Sequence, residues 1–396
     1  MADKPANPLG FATRISHAGR PGVRSYGYVN PPVVRGSTLL HPNLESEAGE
    51  GGFARKLEYG TGGNQTHHAL EDVVLEIEGG ARCQITGTGL TAVTISLLAF
   101  LGAGDHLLMT DSAYGPTRRF CNKMLKRFGV ATTYYPPTIT ADELAGLIQP
   151  NTKVLYLESP GSHTFEMQDV PALAALARAC GLKVLMDNTW GIYFFQPFRH
   201  GVDVSIQALT KYVCGHSDLV LGAITTATEA DYARIRSATR ELGESAGPDD
   251  CWLAMRGART FALRLNHQMQ SGLAIAAWLA EQPQVARVLH PALPGAPGHD
   301  LWKRDYTGAC SLFGVALQPY YSEQAMRDMI DSLKLFGIGS SWGGFESLVL
   351  PTTGTIVRSP QYPSPRTPAL RLHIGLEDVS DLIADLKAGL EGLRRE

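Results

Sequence analysis

Apolar and polar positions alternate along this chain with two different periods. Short apolar runs at Arg82–Thr86, His106–Thr110, Thr132–Tyr135, Val154–Leu157, Val184–Met186, Val204–Gln207 and Leu219–Ile224 have the length of buried strands. Helical spacing fills most of the gaps, over Leu90–Leu101, Pro116–Phe128, Ala141–Ile148 and Val170–Cys180. Asp169 reads as the N-cap of the last and Gly181 as the residue that stops it. Strands alternating with helices predict a mainly parallel, doubly wound sheet. A long helical stretch, Leu253–Leu279, leads into a second region with strands near Val285–His290, Leu312–Leu317 and Leu370–Ile374. Val379, Leu382, Ile383, Leu386, Leu390 and Leu393 then recur at helical spacing and predict a terminal helix with one buried stripe.

Residues 1–60 show little periodicity and are rich in Pro and Gly, as at Pro31-Pro32 and Gly51-Gly52. They read as an extended arm that contacts a neighbouring subunit. The predicted organisation is that arm, a large α/β domain over 61–255 and a smaller C-terminal α+β domain over 256–396. A chain of 396 residues is long enough for two cores.

Composition narrows the partners. Lys and Arg total 35 against 38 Asp and Glu, a net charge of −3, which gives no electrostatic case for nucleic acid or an anionic membrane. Gly102 and Asp105 interrupt the apolar window Leu97–Leu101 far short of the ~20 residues of a membrane span. The start, MADKPANPLG, lacks the pattern of a secretory signal, so a cytoplasmic protein is expected. Six cysteines are scattered without a CxxC pair, as expected of reduced thiols rather than a zinc site, and no metal is expected. The chain also holds 42 glycines and few charges, 18% of residues, which hints at surface buried in an oligomer.

Three segments carry candidate chemistry. Thr86-Gly87-Thr88-Gly89-Leu90 joins a strand to a helix, where glycines let backbone N–H groups approach an anion, although such turns also use glycine for steric reasons alone. Val184-Leu185-Met186-Asp187 ends an apolar strand on a carboxylate, at the sheet edge where ligands bind, or simply in a turn. Val204–Gln207 leads through Ala208, Leu209 and Thr210 to Lys211, whose amine becomes a nucleophile if a dry cleft lowers its pKa. Together, a phosphate cradle, an acid for a ring nitrogen and an amine are the parts that hold pyridoxal phosphate. Tyr114, in Ser112-Ala113-Tyr114-Gly115-Pro116, adds an aromatic face.

With these segments the chain resembles the Cys/Met-metabolism family of pyridoxal-phosphate enzymes, and within it the bacterial cystathionine β-lyases. The resemblance runs from about Tyr59 to Leu390. It includes Leu157-Glu158-Ser159-Pro160-Gly161-Ser162, Thr210-Lys211-Tyr212 with Gly215-His216-Ser217-Asp218, Ser341-Trp342-Gly343-Gly344 and Arg371-Leu372-His373-Ile374-Gly375. It implies the aspartate aminotransferase type I fold and pyridoxal 5'-phosphate as cofactor. By position it implies that Lys211 forms the Schiff base, Asp187 pairs with the ring nitrogen and Tyr114 stacks on the ring. Gly89, Leu90 and Thr210 would contact the phosphate, and Gln207 would join the cofactor set. Arg371, with Ser341 and Trp342, would bind the substrate carboxylate. Tyr59 would reach a neighbour's cofactor and, with Tyr114 and Lys211, take part in catalysis. The family pattern has Arg two residues after that tyrosine, whereas this chain has Thr61. The resemblance therefore implies a looser grip on the phosphate, unless Arg24, Arg55 or Lys56 compensates.

The implied reaction is β-elimination of L-cystathionine to homocysteine, pyruvate and ammonia. Trp342 supports it, because γ-acting relatives typically carry a smaller apolar residue there. Pro116 stands where methionine γ-lyases typically carry a reactive Cys, and Cys121 reads as core. Alternatives are γ-elimination or a broad cysteine-S-conjugate β-lyase. A non-catalytic cofactor-binding protein is disfavoured by the joint presence of Lys211, Asp187 and Arg371. The implied partner is a small sulfur amino acid, and the implied assembly is a homotetramer of dimers with shared active sites. His67-His68 reads as a helix-start or solvated pair, and Glu158 receives no role.

Overall fold

The alternating segments build a seven-stranded sheet in the computed structural model, which describes residues 9–22, 27–44, 55, 57–359 and 367–394. Its strands are β1 (Arg82–Thr86), β2 (His106–Thr110), β3 (Ala131–Tyr135), β4 (Thr152–Glu158), β5 (Lys183–Asp187), β6 (Val204–Gln207) and β7 (Gly222–Thr226). They lie in the order β1-β7-β6-β5-β4-β2-β3. The pairings from β6 through β3 are parallel, whereas β7 runs antiparallel to both β1 and β6. Helices alternate with the strands and bury both faces, as the unbroken apolar runs of β2 and β4 require.

The second sheet contains β8 (Val285–Leu289), β9 (Leu312–Leu317), β10 (Gly337–Ile338), β11 (Leu348–Pro351) and β12 (Ala369–His373), in the order β10-β11-β12-β9-β8. Only its β10–β11 pairing is parallel. The terminal helix Val379–Glu391 buries Leu382, Leu386 and Leu390 against it, as the spacing predicts.

Several local expectations shift. Strand β7 begins at Gly222 rather than Leu219, because the Leu221 N–H and C=O are both taken by the Thr210 hydroxyl. The predicted helix Leu253–Leu279 is two helices, Pro248–Ala258 and Phe261–Ala280. At the break, the Arg259 guanidinium donates to Ala18 O at 2.7 Å, and Arg264 donates to Gly257 O at 2.9 Å. The second helix spans two cores, with Phe261 and Leu265 in that of the large sheet and Ile275, Ala276 and Leu279 in that of the small one.

The arm is not wholly extended. Phe11–His17 forms a helix that buries Ile15, and Phe11 stacks on Tyr193 at 3.7 Å between ring centroids. This part of the arm therefore packs on its own chain. A further helix, Gln65–Glu78, begins just after the glycine-rich segment and buries Leu70, Val73, Val74 and Ile77. Asn64 and His67 cap it reciprocally, and His67 Nε2 also lies 2.9 Å from Ala246 O. His67 is thus a buried helix-start residue.

Candidate active site

Strands β4 and β5 end side by side on Glu158 and Asp187, which pair in register. Both carboxyls face a cavity of about 470 Å³ that also receives Lys211, Tyr114, Arg371, Ser341, Trp342 and His163. Large and small sheets both contribute, because Arg371 stands on β12.

Lys211 follows β6 in a tight turn, with its carbonyl accepting from Gly215 N–H at 2.8 Å. Gly343, at φ 84°, presses against that turn; a Cβ there would sit 2.8 Å from the Lys211 carbonyl carbon. The amine donates to Ser341 Oγ at 2.7 Å and lies 5.4 Å from the centre of the Trp342 ring. Burial lowers the Lys211 pKa to about 8, helped by the charge of Arg371 and opposed by Asp187. A protonated amine cannot attack an aldehyde, so loading of pyridoxal phosphate onto cofactor-free protein should accelerate as pH rises toward 8 and level off above it. Stopped-flow absorbance across pH 6–10 measures this; a rate still climbing tenfold per unit at pH 9.5 would contradict the lowered value.

Asp187 Oδ1 accepts from Thr189 N–H at 3.0 Å. Burial raises the carboxyl's pKa, while the Thr189 hydrogen bonds and Lys211 pull it down. Its neighbour Glu158 is pushed well up by burial and by the charge of Asp187. Glu158 Oε2 accepts from Tyr114 N–H at 2.7 Å, which anchors the tyrosine backbone at the cavity wall. The role that sequence alone left blank is therefore to position Tyr114.

Arg371 is buried, and its Nη2 donates to Ser341 O at 2.9 Å. Ser341 itself adopts φ 82°, and the following turn is fixed by Gly343 N–H donating to His373 Nε2 at 3.0 Å. Burial depresses the pKa of His373 to about 3, so it stays a neutral acceptor. At the opposite wall, Gly89 and Leu90 begin the helix Gly89–Phe100, whose N-cap Thr88 accepts from Thr91 N–H. A Cβ on Gly89 would meet that of Ala208 at 2.7 Å, so this glycine lets the helix start approach the Lys211 turn. Thr210 lines the cavity too, although its hydroxyl is engaged with Leu221.

Two expected residues lie elsewhere. Gln207 does not line this cavity; its Nε2 donates to Glu78 Oε1 and to Asn188 O, both at 2.8 Å. The alternation of β6 explains the difference, because Ser205 and Gln207 share one face and both donate to the buried Glu78. Tyr59 is half-exposed, outside the cavity, beside Arg35, Thr61 and Asn64. Arg55 forms an ion pair with Asp72, while Arg24 and Lys56 lie outside the described residues.

An amine, a strand-end carboxylate and a helix N-terminus around one cavity fit pyridoxal phosphate, since each matches a different part of it: aldehyde, ring nitrogen and phosphate. Comparison with known proteins agrees. The profile of the family described as "Cys/Met metabolism PLP-dependent enzyme" matches residues 12–391. A putative cystathionine β-lyase of Rhizobium johnstonii is 46% identical over 387 residues, 96% of either chain. The cystathionine β-lyase of Escherichia coli is 42% identical over 397 residues, 98% of this chain and 99% of that one. Among solved structures, cystathionine γ-synthase of Xanthomonas oryzae in complex with cystathionine superposes with a TM-score of 0.89 at 30% identity, covering 98% of this chain and 99% of that one.

Proposed function

This chain belongs to the Cys/Met-metabolism family of pyridoxal-phosphate-dependent enzymes, and from that premise we infer a carbon–sulfur lyase that cleaves L-cystathionine by β-elimination. The products are homocysteine, pyruvate and ammonia. The observation that carries this reading is the near full-length identity of 42–46% to two bacterial proteins named as such lyases. Its geometric support is the single cavity around Lys211.

Pyridoxal phosphate, when bound, supplies an electron sink that stabilises negative charge at the substrate Cα. Asp187 would keep the ring nitrogen protonated, and the N–H groups at Gly89 and Leu90 would face the phosphate. Arg371 grips the substrate α-carboxylate with its planar fork, which Ser341 O holds from behind. Lys211, poised near neutrality, takes the Cα proton and returns a proton to the departing sulfur. Tyr114, anchored by Glu158, walls the cavity and is available to assist that protonation.

The same reading gives Tyr59 to the cavity of a neighbouring subunit, in a homotetramer of dimers located in the cytoplasm. Its support is the exposed position of Tyr59 away from its own cavity. Thr61 then brings a hydroxyl, without charge, to the neighbour's phosphate. Thr61→Arg should tighten cofactor binding about tenfold, the worth of one charge-assisted hydrogen bond. Equilibrium dialysis of the cofactor checks this, and an unchanged dissociation constant would count against the shared site.

A keto-acid assay over cystathionine, cystine and other thioethers tests the reaction. Pyruvate from cystathionine is expected. A 2-oxobutyrate product would replace β- with γ-elimination, the second reading, favoured by the likeness to a solved cystathionine γ-lyase of Lactobacillus plantarum at 27% identity.

A further inference from the structure

His163 lines the same cavity but makes none of the contacts described above. It sits in the turn after β4, held where Gly161 N–H donates to Glu166 O, Phe165 N–H to Gly161 O and Ser162 N–H to Ser112 O, each at 2.9 Å. Inside this turn His163 has φ 60°. That left-handed conformation is disfavoured for a residue with a side chain. Nδ1 of the ring is shut off from solvent and has no hydrogen-bond partner among the described residues, whereas Nε2 is not closed off in this way and is the nitrogen a ligand in the cavity can meet. Burial and the nearby charge of Arg371 lower the imidazole to about 4. The ring is therefore neutral, with one donor and one acceptor nitrogen.

A turn that holds a left-handed residue at the cavity wall and leaves its Nε2 unengaged is explained if the partner arrives with a ligand. We propose that His163 is a substrate-binding residue whose imidazole hydrogen-bonds the carboxylate gripped by Arg371. This assignment rests on reading the cavity as an amino-acid site. A carboxylate offers about four acceptor positions, and a guanidinium fork fills two. A neutral donor fills another without placing a second positive charge beside Lys211, whose amine must lose its proton to act.

Two substitutions separate binding from packing. His163→Gly removes the ring and relieves the left-handed backbone, and His163→Asn tolerates that backbone while keeping a short polar group. The measurement is the dissociation constant of the cofactor-loaded enzyme for L-alanine, which has no scissile sulfur, and for ethylamine, which lacks the carboxylate. His163→Gly should weaken L-alanine about tenfold, leave ethylamine unchanged and leave Tm equal or higher. His163→Asn should fall between it and wild type. With cystathionine the loss should appear in KM, with kcat within about twofold. Unchanged L-alanine binding in both variants, or an equal loss for ethylamine, overturns the assignment. A wild-type enzyme that binds L-alanine through His163 but makes no keto acid would sink the lyase reading and leave this assignment standing.

Discussion

Lys211→Ala abolishes turnover, to below about one ten-thousandth of the wild-type rate, together with the visible absorbance of the bound cofactor. Each function proposed for this amine is lost at once: the bond to the cofactor, abstraction of the Cα proton and delivery of a proton to sulfur. No other described side chain replaces it. Burial and the charges of Asp187 and Glu158 raise the Tyr114 pKa, so its phenol keeps its proton and cannot take up the one on Cα. Ser341 loses the donor at 2.7 Å but remains fixed by its backbone contact to Arg371. The fold should survive, because the Lys211 turn is held by backbone hydrogen bonds. Keto-acid release and an absorbance scan on the same purified sample check the result. Turnover within tenfold of wild type would end the proposed mechanism.

Arg371 makes two separable contributions, and two substitutions divide them. Its fork binds the carboxylate, and its charge helps hold the Lys211 amine near neutrality. Arg371→Ala removes both, and kcat/KM should fall about a thousandfold, in line with losing one partner of a desolvated charge pair. The pKa of Lys211 in cofactor-free protein should rise as well, moving the loading profile toward higher pH. Arg371→Lys keeps the charge but loses the bidentate geometry. It should raise KM about tenfold while leaving the loading profile in place. Steady-state kinetics and the pH series for cofactor loading distinguish these outcomes. A normal KM in the lysine variant would show that charge alone recognises the carboxylate.

Much of this architecture is legible in the sequence because fully buried strands leave apolar runs with sharp ends. Runs such as His106–Thr110 and Leu312–Leu317 coincide with β2 and β9. Lys211, Asp187 and Arg371 are legible for a related reason: each lies on or just beyond a strand in a recognisable motif, and the fold brings them to one cavity. The misses have physical causes. Periodicity continues through Arg259 and Thr260, since a break whose Gly257 carbonyl is taken by the Arg264 side chain costs no apolar residue. Gln207 follows an apolar strand just as a ligand residue would, and only the buried Glu78 behind β6 shows where its amide goes. The helix Gln65–Glu78 did leave a signal, in Asn64 followed by apolar residues at helical spacing, but glycine-rich sequence before it obscured the start. His163 left none, because its importance lies in a backbone angle and an unpartnered nitrogen.

The two walls of the cavity grow from different sheets. Lys211 and Asp187 belong to the large sheet, which carries the reactive groups. Arg371 and the Ser341–Trp342 turn belong to the small sheet and face them across the cavity. The small sheet also reaches the reactive amine, through Ser341 and the charge of Arg371, so a change in what is recognised also changes how readily Lys211 reacts.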